Sequence, residues 1–267
     1  MRSDRYKDDY DNGGSVNKEK PKRGKRRRSK TRRIAENIII VCLAIIVCIS
    51  GWKVWTIYHE YHVNAEIYNK IAELAMPEEF NGIIDFDALR KVNPDIVGWI
   101  YYEGTKINYP IVQGEDNDYY LRVAFENTWA INGTLFVDAI TEKPFKQFNT
   151  IVYGHHMQDG TMFGDLKKLK DTEYCKEHPQ LELITPEGKY HLRICAFLNQ
   201  PADSQVYLTN FQEEEGKQEY IDLIESIANY ITSEKMTTDS KLVVLSTCAY
   251  EYQDARYMVI AKMIPWD

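Results

Sequence analysis

The sequence lacks the motifs that mark several common functional classes. None of its five cysteines stands in a CxxC or Cys/His arrangement with the spacing of a zinc site. The GxGxxG and Gly-Lys-Ser/Thr patterns of nucleotide-binding loops are absent, and so are internal repeats. The sequence therefore predicts no metal site and no cofactor, and it gives no sign of a repeat architecture.

Cysteine is also too scarce for a disulfide framework. Cys42 and Cys48 fall in a long apolar run, which leaves Cys175, Cys195 and Cys248 for the rest of the chain. Three cysteines do not make the paired framework of a small secreted domain. A single bridge between Cys175 and Cys195 stays open as a minor alternative to two buried thiols.

Charge is distributed unevenly along the 267 residues. Residues 1–33 hold 14 Lys/Arg and 5 Asp/Glu, a balance of +9, whereas the remaining residues hold 19 and 35, a balance of −16. A hydrophobic content of 44% is enough for a globular core, so only the polar arm at 1–33 is predicted to be disordered. A basic arm on an acidic body is typical of nucleic-acid binding or of membrane contact.

An apolar run directly after the arm decides between these alternatives. Residues 34–57 are apolar on all sides, carry no charge between Ile38 and Trp52, and are long enough for a membrane-spanning helix. A cleaved signal peptide fits less well, because the basic arm is long and no cleavage site follows. The arm is then explained by topology, and we predict no nucleic-acid partner.

These features predict a single-pass cell-membrane protein with four segments. Residues 1–33 form a basic cytoplasmic tail, 34–57 an uncleaved signal anchor, 58–80 a helical stalk or N-terminal helix, and 81–267 an extracellular domain. Lys/Arg residues before a membrane span mark its cytoplasmic side, which places the N-terminus inside the cell.

The extracellular segment is predicted to be mainly β. Eight candidate strands are Val97–Tyr102, Ile107–Val112, Gly133–Asp138, Thr150–His155, Leu181–Thr185, Tyr190–Leu198, Lys241–Thr247 and Tyr257–Ile264. Four helices are predicted, over Val63–Met76, Asp85–Val92, Phe163 to about Lys176, and Glu213–Ile231. Many short strands with few helices favour a closed barrel or a sandwich over a doubly wound sheet.

Cys248 is the candidate nucleophile, because it stands where an apolar strand ends in Ser246-Thr247. A cysteine needs a neighbouring base or cation to act as a nucleophile. His155 follows Gly154 at the end of another strand, and the adjacent His156 would point the opposite way on an extended chain.

Arg256 begins the strand that follows Cys248 in sequence. If these two strands pair as a hairpin, both side chains lie at the same end of the sheet, where a guanidinium could stabilise an oxyanion. A Cys-His-Asp triad with Asp254 is the alternative from the same loop.

Together these residues resemble the sortases, which are membrane-anchored cysteine transpeptidases of Gram-positive cell surfaces. That family has a TLxTC-like strand end followed by an arginine; here residues 244–248 are VLSTC, with Val244 in place of the usual threonine, and Arg256 follows. Gly154-His155 matches the family histidine. The segment NTIVYGHHMQDGTMFGDLKKL (149–169), the long helix and the helical N-terminal extension are similar to class B sortases.

The resemblance, over about Ala65–Ile264, implies a closed eight-stranded β-barrel with N-terminal helices and one long helix before the last strand pair. It implies that Cys248 attacks a threonyl carbonyl in a C-terminal sorting signal, NPxTN- or PxTG-like, of a secreted protein. An amine of peptidoglycan or of its lipid-linked precursor then resolves the thioacyl enzyme. His155 would protonate the leaving amine, and Arg256 would hold substrate and oxyanion. Ser246 and Thr247 are candidate substrate contacts.

Two other functions remain compatible with these residues. One is a cysteine peptidase that releases the peptide to water, since the chemistry up to the thioacyl step is the same. The other is a non-catalytic, membrane-anchored binding domain in which Cys248 is a core thiol.

Overall fold

A computed structural model describes residues 30–75 and 84–266. Residues 1–29, which make up most of the predicted cytoplasmic tail, lie outside this range, and so does the predicted boundary near residue 81. The chain divides into two compact units between Val54 and Trp55.

The first unit contains the apolar helix. Helix α1 spans Lys30–Ala75, and its part from Lys30 to Thr56 is the one described helix that could cross a membrane by length and composition. Those 27 residues extend about 40 Å at 1.5 Å per residue, against about 30 Å of membrane hydrocarbon. The Ile and Val side chains of this stretch are exposed.

The second unit begins with the end of α1, whose residues Tyr68, Ile71 and Ala75 are buried. Helix α2 spans Phe86–Val92, and the Asp85 side chain caps it by accepting a hydrogen bond from the Ala88 N–H (2.9 Å). It ends at Asn93, which is extended, as a residue before proline prefers to be. The predicted helix over Asp85–Val92 is therefore present. The predicted helix over Val63–Met76 is the last part of α1 as far as Ala75, and Met76 lies outside the described residues.

Nine strands follow, and eight of them coincide with the predicted ones to within a few residues. They are β1 (Ile96–Tyr101), β2 (Asn108–Val112), β3 (Leu135–Val137), β4 (Asn149–Tyr153), β5 (Gln180–Thr185), β6 (Gly188–Pro201), β7 (Tyr230–Ile231), β8 (Leu242–Cys248) and β9 (Ala255–Pro265).

The strands close into a ring. Their order is β5-β1-β2-β3-β4-β8-β9-β6, and β5 pairs again with β6, which removes the open edges of the sheet. The two-residue β7 adds to the far half of β6. Pairs β2–β3 and β4–β8 are parallel, and the others are antiparallel. The predicted closed eight-stranded barrel is confirmed.

The structure corrects two helix predictions. The long helix α4 spans Glu214–Ile227 and stops before Tyr230 and Ile231, which pair with β6; Tyr230 also stacks on Phe197 at 5.8 Å between ring centroids. Ile231 fitted the helical repeat, but the sheet hydrogen bonds determine its conformation.

The second correction concerns the helix predicted from Phe163 to about Lys176. The chain here forms a 3₁₀ helix over Gly164–Lys170 and a separate helix α3 over Thr172–Glu177. Asp171 divides them, because its side chain caps α3 by accepting from the Glu173 N–H (2.9 Å).

The barrel has one core inside and another on its outer face. The inner core includes Val243 and Leu245 of β8, and the outer core includes Leu242 and Val244 together with Ile224 of α4. Successive strand residues alternate between faces, so Ser246 and Cys248 continue the outer face of β8. The outer face of the barrel is therefore where a site at this strand end would open.

Candidate active site

His155, Cys248 and Arg256 meet at one end of three neighbouring strands. Cys248 is the last residue of β8 and pairs with Arg256, the second residue of β9. The parallel pairing of β4 with β8 brings Tyr153 beside Ser246, and the Gly154 N–H extends this pairing by donating to the Ser246 carbonyl (3.1 Å). All three side chains line one cavity of about 370 Å³.

Gly154 is required at the point where β4 ends. A Cβ at this position would lie 2.4 Å from Leu135 Cδ2 and 2.7 Å from Phe163 Cδ2. No other residue allows the chain to pass between these two side chains. The strand ends at Tyr153, two residues earlier than predicted, and His155 lies at the rim of the cavity.

His155 is held as a neutral imidazole with a defined tautomer. Its Nε2 lies 2.8 Å from the Leu121 carbonyl oxygen, and because a carbonyl only accepts, Nε2 carries the proton. Burial lowers the pKa of His155, the Leu121 carbonyl opposes this in part, and the charge of Arg122 lowers the pKa further. Nδ1 therefore carries the lone pair that can accept a proton.

His156 has a different position and different partners. Its Nδ1 donates to the backbone carbonyl of Cys248 at 2.6 Å, and its ring packs against Tyr250 and Tyr257. Burial lowers its pKa as well. His156 does not line the cavity. Its hydrogen bond to the Cys248 carbonyl holds the end of β8 in place.

The remaining predicted residues lie in the same cavity wall. Arg256 is half-buried, and its Nη1 donates to the Ala255 carbonyl at 2.9 Å. Ser246 is buried, and its hydroxyl is 2.8 Å from the Tyr207 hydroxyl. Thr247 also lines the cavity, although strand alternation directs its side chain to the inner face of β8, where its Oγ1 has no hydrogen-bond partner among the described residues.

Sequence reasoning missed two tyrosines of the site. Tyr207 and Tyr153 line the cavity with rings stacked 5.8 Å apart. Burial raises the pKa of both hydroxyls, and the charge of Arg256 lowers it in part, so the guanidinium lies within electrostatic reach of both rings. Tyr153 could have been found, because it directly precedes Gly154-His155. Nothing in the sequence near Tyr207 signals the site.

A buried carboxylate supports this wall from behind. Asp138 accepts hydrogen bonds from the Tyr153 hydroxyl (2.8 Å) and from Asn117 Nδ2 (3.2 Å). Asp254, the alternative third member of a triad, is exposed and does not line the cavity. The partner of the His155 ring in this structure is the Leu121 carbonyl, not a carboxylate.

The loop between Cys248 and Arg256 is fixed by Glu251. The carboxylate of Glu251 accepts from Lys170 Nζ (2.5 Å) and from the Tyr257 hydroxyl. Burial alone would raise the pKa of Glu251, but these hydrogen bonds bring it to about 2. The ionised carboxylate thus connects the loop to the 3₁₀ helix Gly164–Lys170.

The other two cysteines of the barrel are structural. Cys175 and Cys195 are free and buried, so the alternative of a bridge between them is wrong. Burial raises the pKa of both thiols, that of Cys195 to about 12, and both stay protonated and unreactive. The side chain of Cys248 is the most exposed of these three cysteines.

Comparison with known proteins agrees with this architecture. The sortase domain family model matches residues 100–264. Sortase B of Staphylococcus aureus is 30% identical over 233 residues, covering 85% of this chain and 96% of the relative. Sortase B of Listeria monocytogenes is 30% identical over 239 residues, covering 86% and 97%.

The same likeness appears among solved structures. A Staphylococcus aureus sortase B–substrate complex superposes with a TM-score of 0.72 at 29% identity, covering 78% of this chain and all of that one. The chain therefore belongs to the sortase family of cysteine transpeptidases, with sortase B enzymes as its relatives.

Proposed function

We propose that this protein is a membrane-anchored class B transpeptidase that joins secreted proteins to the cell wall. The observation that carries the proposal is the meeting of His155, Cys248 and Arg256 in one cavity at the ends of β4, β8 and β9. A nucleophile, a base and a fixed cation within one cleft are the requirements for acyl transfer.

The first half-reaction forms a thioacyl enzyme. His155 Nδ1 accepts the thiol proton as Cys248 Sγ attacks the threonyl carbonyl carbon of an NPxTN- or PxTG-like sorting signal. Arg256 stabilises the negative charge that develops on the carbonyl oxygen. The imidazolium then gives its proton to the leaving amine as the C–N bond breaks. A histidine that is neutral at the start suits this sequence, because it can first accept a proton and then return it.

The second half-reaction transfers the acyl group to an amine. An amine of peptidoglycan or of its lipid-linked precursor attacks the thioester carbon and gives a proton to His155. A C–N bond forms, the C–S bond breaks, and Cys248 recovers its proton from His155. The superposed Staphylococcus aureus sortase B structure is a complex with a substrate, which supports a substrate of the same kind for this chain.

The transfer is tested with the full chain in detergent and a fluorogenic sorting peptide. We expect a peptide–amine product when triglycine is present, a hydrolysed product in its absence, and neither from Cys248→Ala. Comparing NPxTN and PxTG peptides identifies the preferred signal. If mass spectrometry finds only the hydrolysed acid at saturating triglycine, the protein is a peptidase and transpeptidation is wrong.

The apolar part of α1 supports a membrane location. In the proposed topology, residues 1–33 are the cytoplasmic tail, 34–57 the anchor, 58–80 the connecting helix and 81–267 the extracellular domain. We expect the chain to stay in the membrane fraction after an alkaline carbonate wash. Protease added to intact protoplasts should digest the catalytic domain; full protection of that domain would contradict the orientation.

A further inference from the structure

A second cavity lies on the outer face of the barrel, where Phe148 belongs to the outer core and Phe211 packs against it. Its volume is about 270 Å³. The cavity is formed by the connection from β3 to β4 and by the segment between Tyr207 and α4, and its lining includes Ile140, Glu142, Lys143, Phe148, Asn210 and Phe211. We call this cavity the Phe211 groove. Among the described residues, none lines both the groove and the active-site cavity.

The groove lies at the opposite end of β8 from Cys248. The Phe148 carbonyl accepts a hydrogen bond from the N–H of Leu242, the first residue of β8 (2.7 Å). Cys248 is the last residue of the same strand, six residues further on. At about 3.3 Å per residue, β8 covers about 20 Å between these two points. An extended peptide of about six residues spans the same distance.

The segment that contains Tyr207 and Leu208 borders both cavities. Tyr207 lines the active-site cavity, and its hydroxyl lies 2.8 Å from the Ser246 hydroxyl. Leu208 lies beside the start of β4, because its carbonyl accepts a hydrogen bond from Asn149 Nδ2 (2.7 Å). The Leu208 side chain is exposed, and the next residue, Thr209, lines the groove. This segment therefore extends along the outer face of the barrel from one cavity to the other.

The connection from β3 to β4 also borders both cavities. Asn117 lines the active-site cavity and donates from its Nδ2 to the Asp138 carboxylate (3.2 Å), while its Oδ1 accepts from the Ala139 N–H (2.8 Å). Ile140 follows directly and lines the groove. The groove thus has a wall on each side that continues from the active-site cavity. A peptide that extends from Cys248 between these walls reaches the groove.

The floor and rim of the groove suit an apolar side chain. The rings of Phe148 and Phe211 pack edge to face with their centroids 4.9 Å apart. Ile140 lines the groove and is 73% exposed. A ligand side chain that covers this apolar surface removes it from water, which favours binding.

The polar groups of the groove suit a neutral peptide backbone. Glu142 and Lys143 are both exposed and carry opposite charges, so the groove has no excess of either sign. Asn210 is exposed, and its side-chain amide has no hydrogen-bond partner among the described residues. This amide can donate to a peptide carbonyl and accept from a peptide N–H.

The acyl part of the substrate is the part that extends toward the groove. In the proposed reaction the leaving amine takes its proton from His155, which lies beyond the last residue of β4, whereas the groove lies before the first residue, Asn149. A sorting signal is C-terminal, so the rest of the secreted protein is on the acyl side. The acyl part also stays bound to Cys248 while the leaving fragment is replaced by the amine. A contact on this side therefore holds the substrate through both half-reactions.

We propose that the Phe211 groove binds the residues of the secreted protein that precede its sorting signal, an inference that rests on the proposed function. An apolar side chain about six residues before the acylated threonine lies against Ile140, Phe148 and Phe211. The neighbouring peptide groups bond to the Asn210 amide. The groove thus selects substrates by sequence outside the signal itself.

Binding is measured with the full chain in detergent, carrying Cys248→Ala so that no turnover occurs. The probes are fluorescein-labelled NPxTN and PxTG peptides preceded by a run of serines, in which a single leucine is moved from the fourth to the eighth position before the threonine. We expect fluorescence anisotropy to show one optimum near the sixth position, where leucine tightens binding at least about fivefold.

Two variants in the same background test the groove. Ile140→Asp places a charge at the rim and should abolish the preference for leucine, and the high exposure of Ile140 makes the substitution safe for folding. Asn210→Ala should weaken binding of every extended peptide about threefold, because one hydrogen bond is lost.

Ile231→Asp is the matched control, since Ile231 is 45% exposed and lines neither cavity. This variant should keep the preference for leucine. Equal affinity of the serine and leucine peptides, or a leucine preference that Ile140→Asp leaves unchanged, would overturn the proposal. Loss of the preference in Ile231→Asp to the same extent would also contradict it.

Transfer of a short signal peptide to triglycine is measured with Cys248 in place, because this peptide ends before the groove. We expect Ile140→Asp to leave the transfer unchanged. A raised KM for triglycine in Ile140→Asp would assign the groove to the acceptor and refute the proposal. Normal transfer without any leucine preference refutes the groove and leaves the transpeptidase intact. A leucine preference without any amine transfer refutes the proposed function and leaves the groove in place.

Discussion

The outer face of β8 has different surroundings at the two ends of the β8–β9 hairpin. Near Leu242 and Val244, the outer face of β8 packs in a core with Ile224 of α4. Near Ser246 and Cys248, the same face opens into a cavity. Strand alternation is identical at both ends, so what covers the face determines whether a side chain stabilises the fold or meets a substrate.

This comparison is tested most strongly by one substitution at each end. Cys248→Ala should reduce transpeptidation at least about 10⁴-fold, because the nucleophile is lost, with no change in melting temperature. Val244→Ala should lower the free energy of unfolding by about 2 kcal/mol, because a fully buried side chain is truncated, with normal activity per folded molecule. Turnover and thermal melting separate the two effects.

Cys195→Ala is the control for the loss of a thiol, since Cys195 is buried in the outer core. Its turnover should stay near that of the wild type. A comparable loss of activity in Cys195→Ala and Cys248→Ala would contradict the comparison. It would show that a thiol in the covered outer core matters for turnover as much as the thiol in the cavity.

His155 and His156 allow a second comparison at the end of β8 that opens into the cavity, because only His155 lines that cavity. His155→Ala should cost about 10²–10⁴-fold in kcat/KM, the usual range for general acid–base catalysis. His156→Ala should cost only about tenfold, because it removes one hydrogen bond to the Cys248 carbonyl. Added imidazole should restore activity to His155→Ala alone. The reverse order of losses would assign the base to His156.

Arg256→Lys tests whether the open end needs a guanidinium or only a positive charge. We expect a loss of about 10²-fold in kcat/KM, because an ammonium group cannot reproduce the planar fork that faces the oxyanion. Arg122→Lys, at an arginine outside the cavity, should be nearly silent. Near-normal turnover of Arg256→Lys would remove the guanidinium from the mechanism.

The pH dependence gives the smallest effect. Burial lowers the pKa of His155 below its usual value, so the neutral base persists to lower pH than an ordinary histidine allows. Activity should fall only as the pH drops through this lowered pKa, and it returns as the pH rises. Arg122→Gln removes a charge that lowers the pKa and should move the acid limb of kcat/KM to higher pH.

Lys167→Gln is the matched variant, because the charge of Lys167 lowers the pKa of His156 instead. It should leave the acid limb in place. A shift with Lys167→Gln and none with Arg122→Gln would mean that the activity reports the titration of His156.

Much of the site was predictable because its residues stand at strand ends. The apolar runs before Gly154 and Cys248 predicted the strands, and polar residues that follow such runs lie at a sheet edge. Tyr207 was not predictable, because it belongs to a short 3₁₀ helix, Gln205–Tyr207, that lies far from β8 in the sequence. No motif near Tyr207 indicates that its hydroxyl contacts Ser246 of β8. The same holds for the Leu121 carbonyl, a backbone group 34 residues before His155.

The sequence by itself determined the apolar helix, the eight barrel strands and the candidate nucleophile and cation, Cys248 and Arg256, because each depends on local periodicity or on a short motif. Only the tertiary structure decided which histidine enters the cavity, where α4 ends, and that Ile140 and Phe211 line a second cavity. These outcomes depend on contacts between residues far apart in the chain, such as the pairing of Tyr230 with Phe197 and the hydrogen bond from Asn149 to the Leu208 carbonyl. Local preference cannot encode them, since packing and backbone hydrogen bonding determine the final conformation only once the barrel has closed.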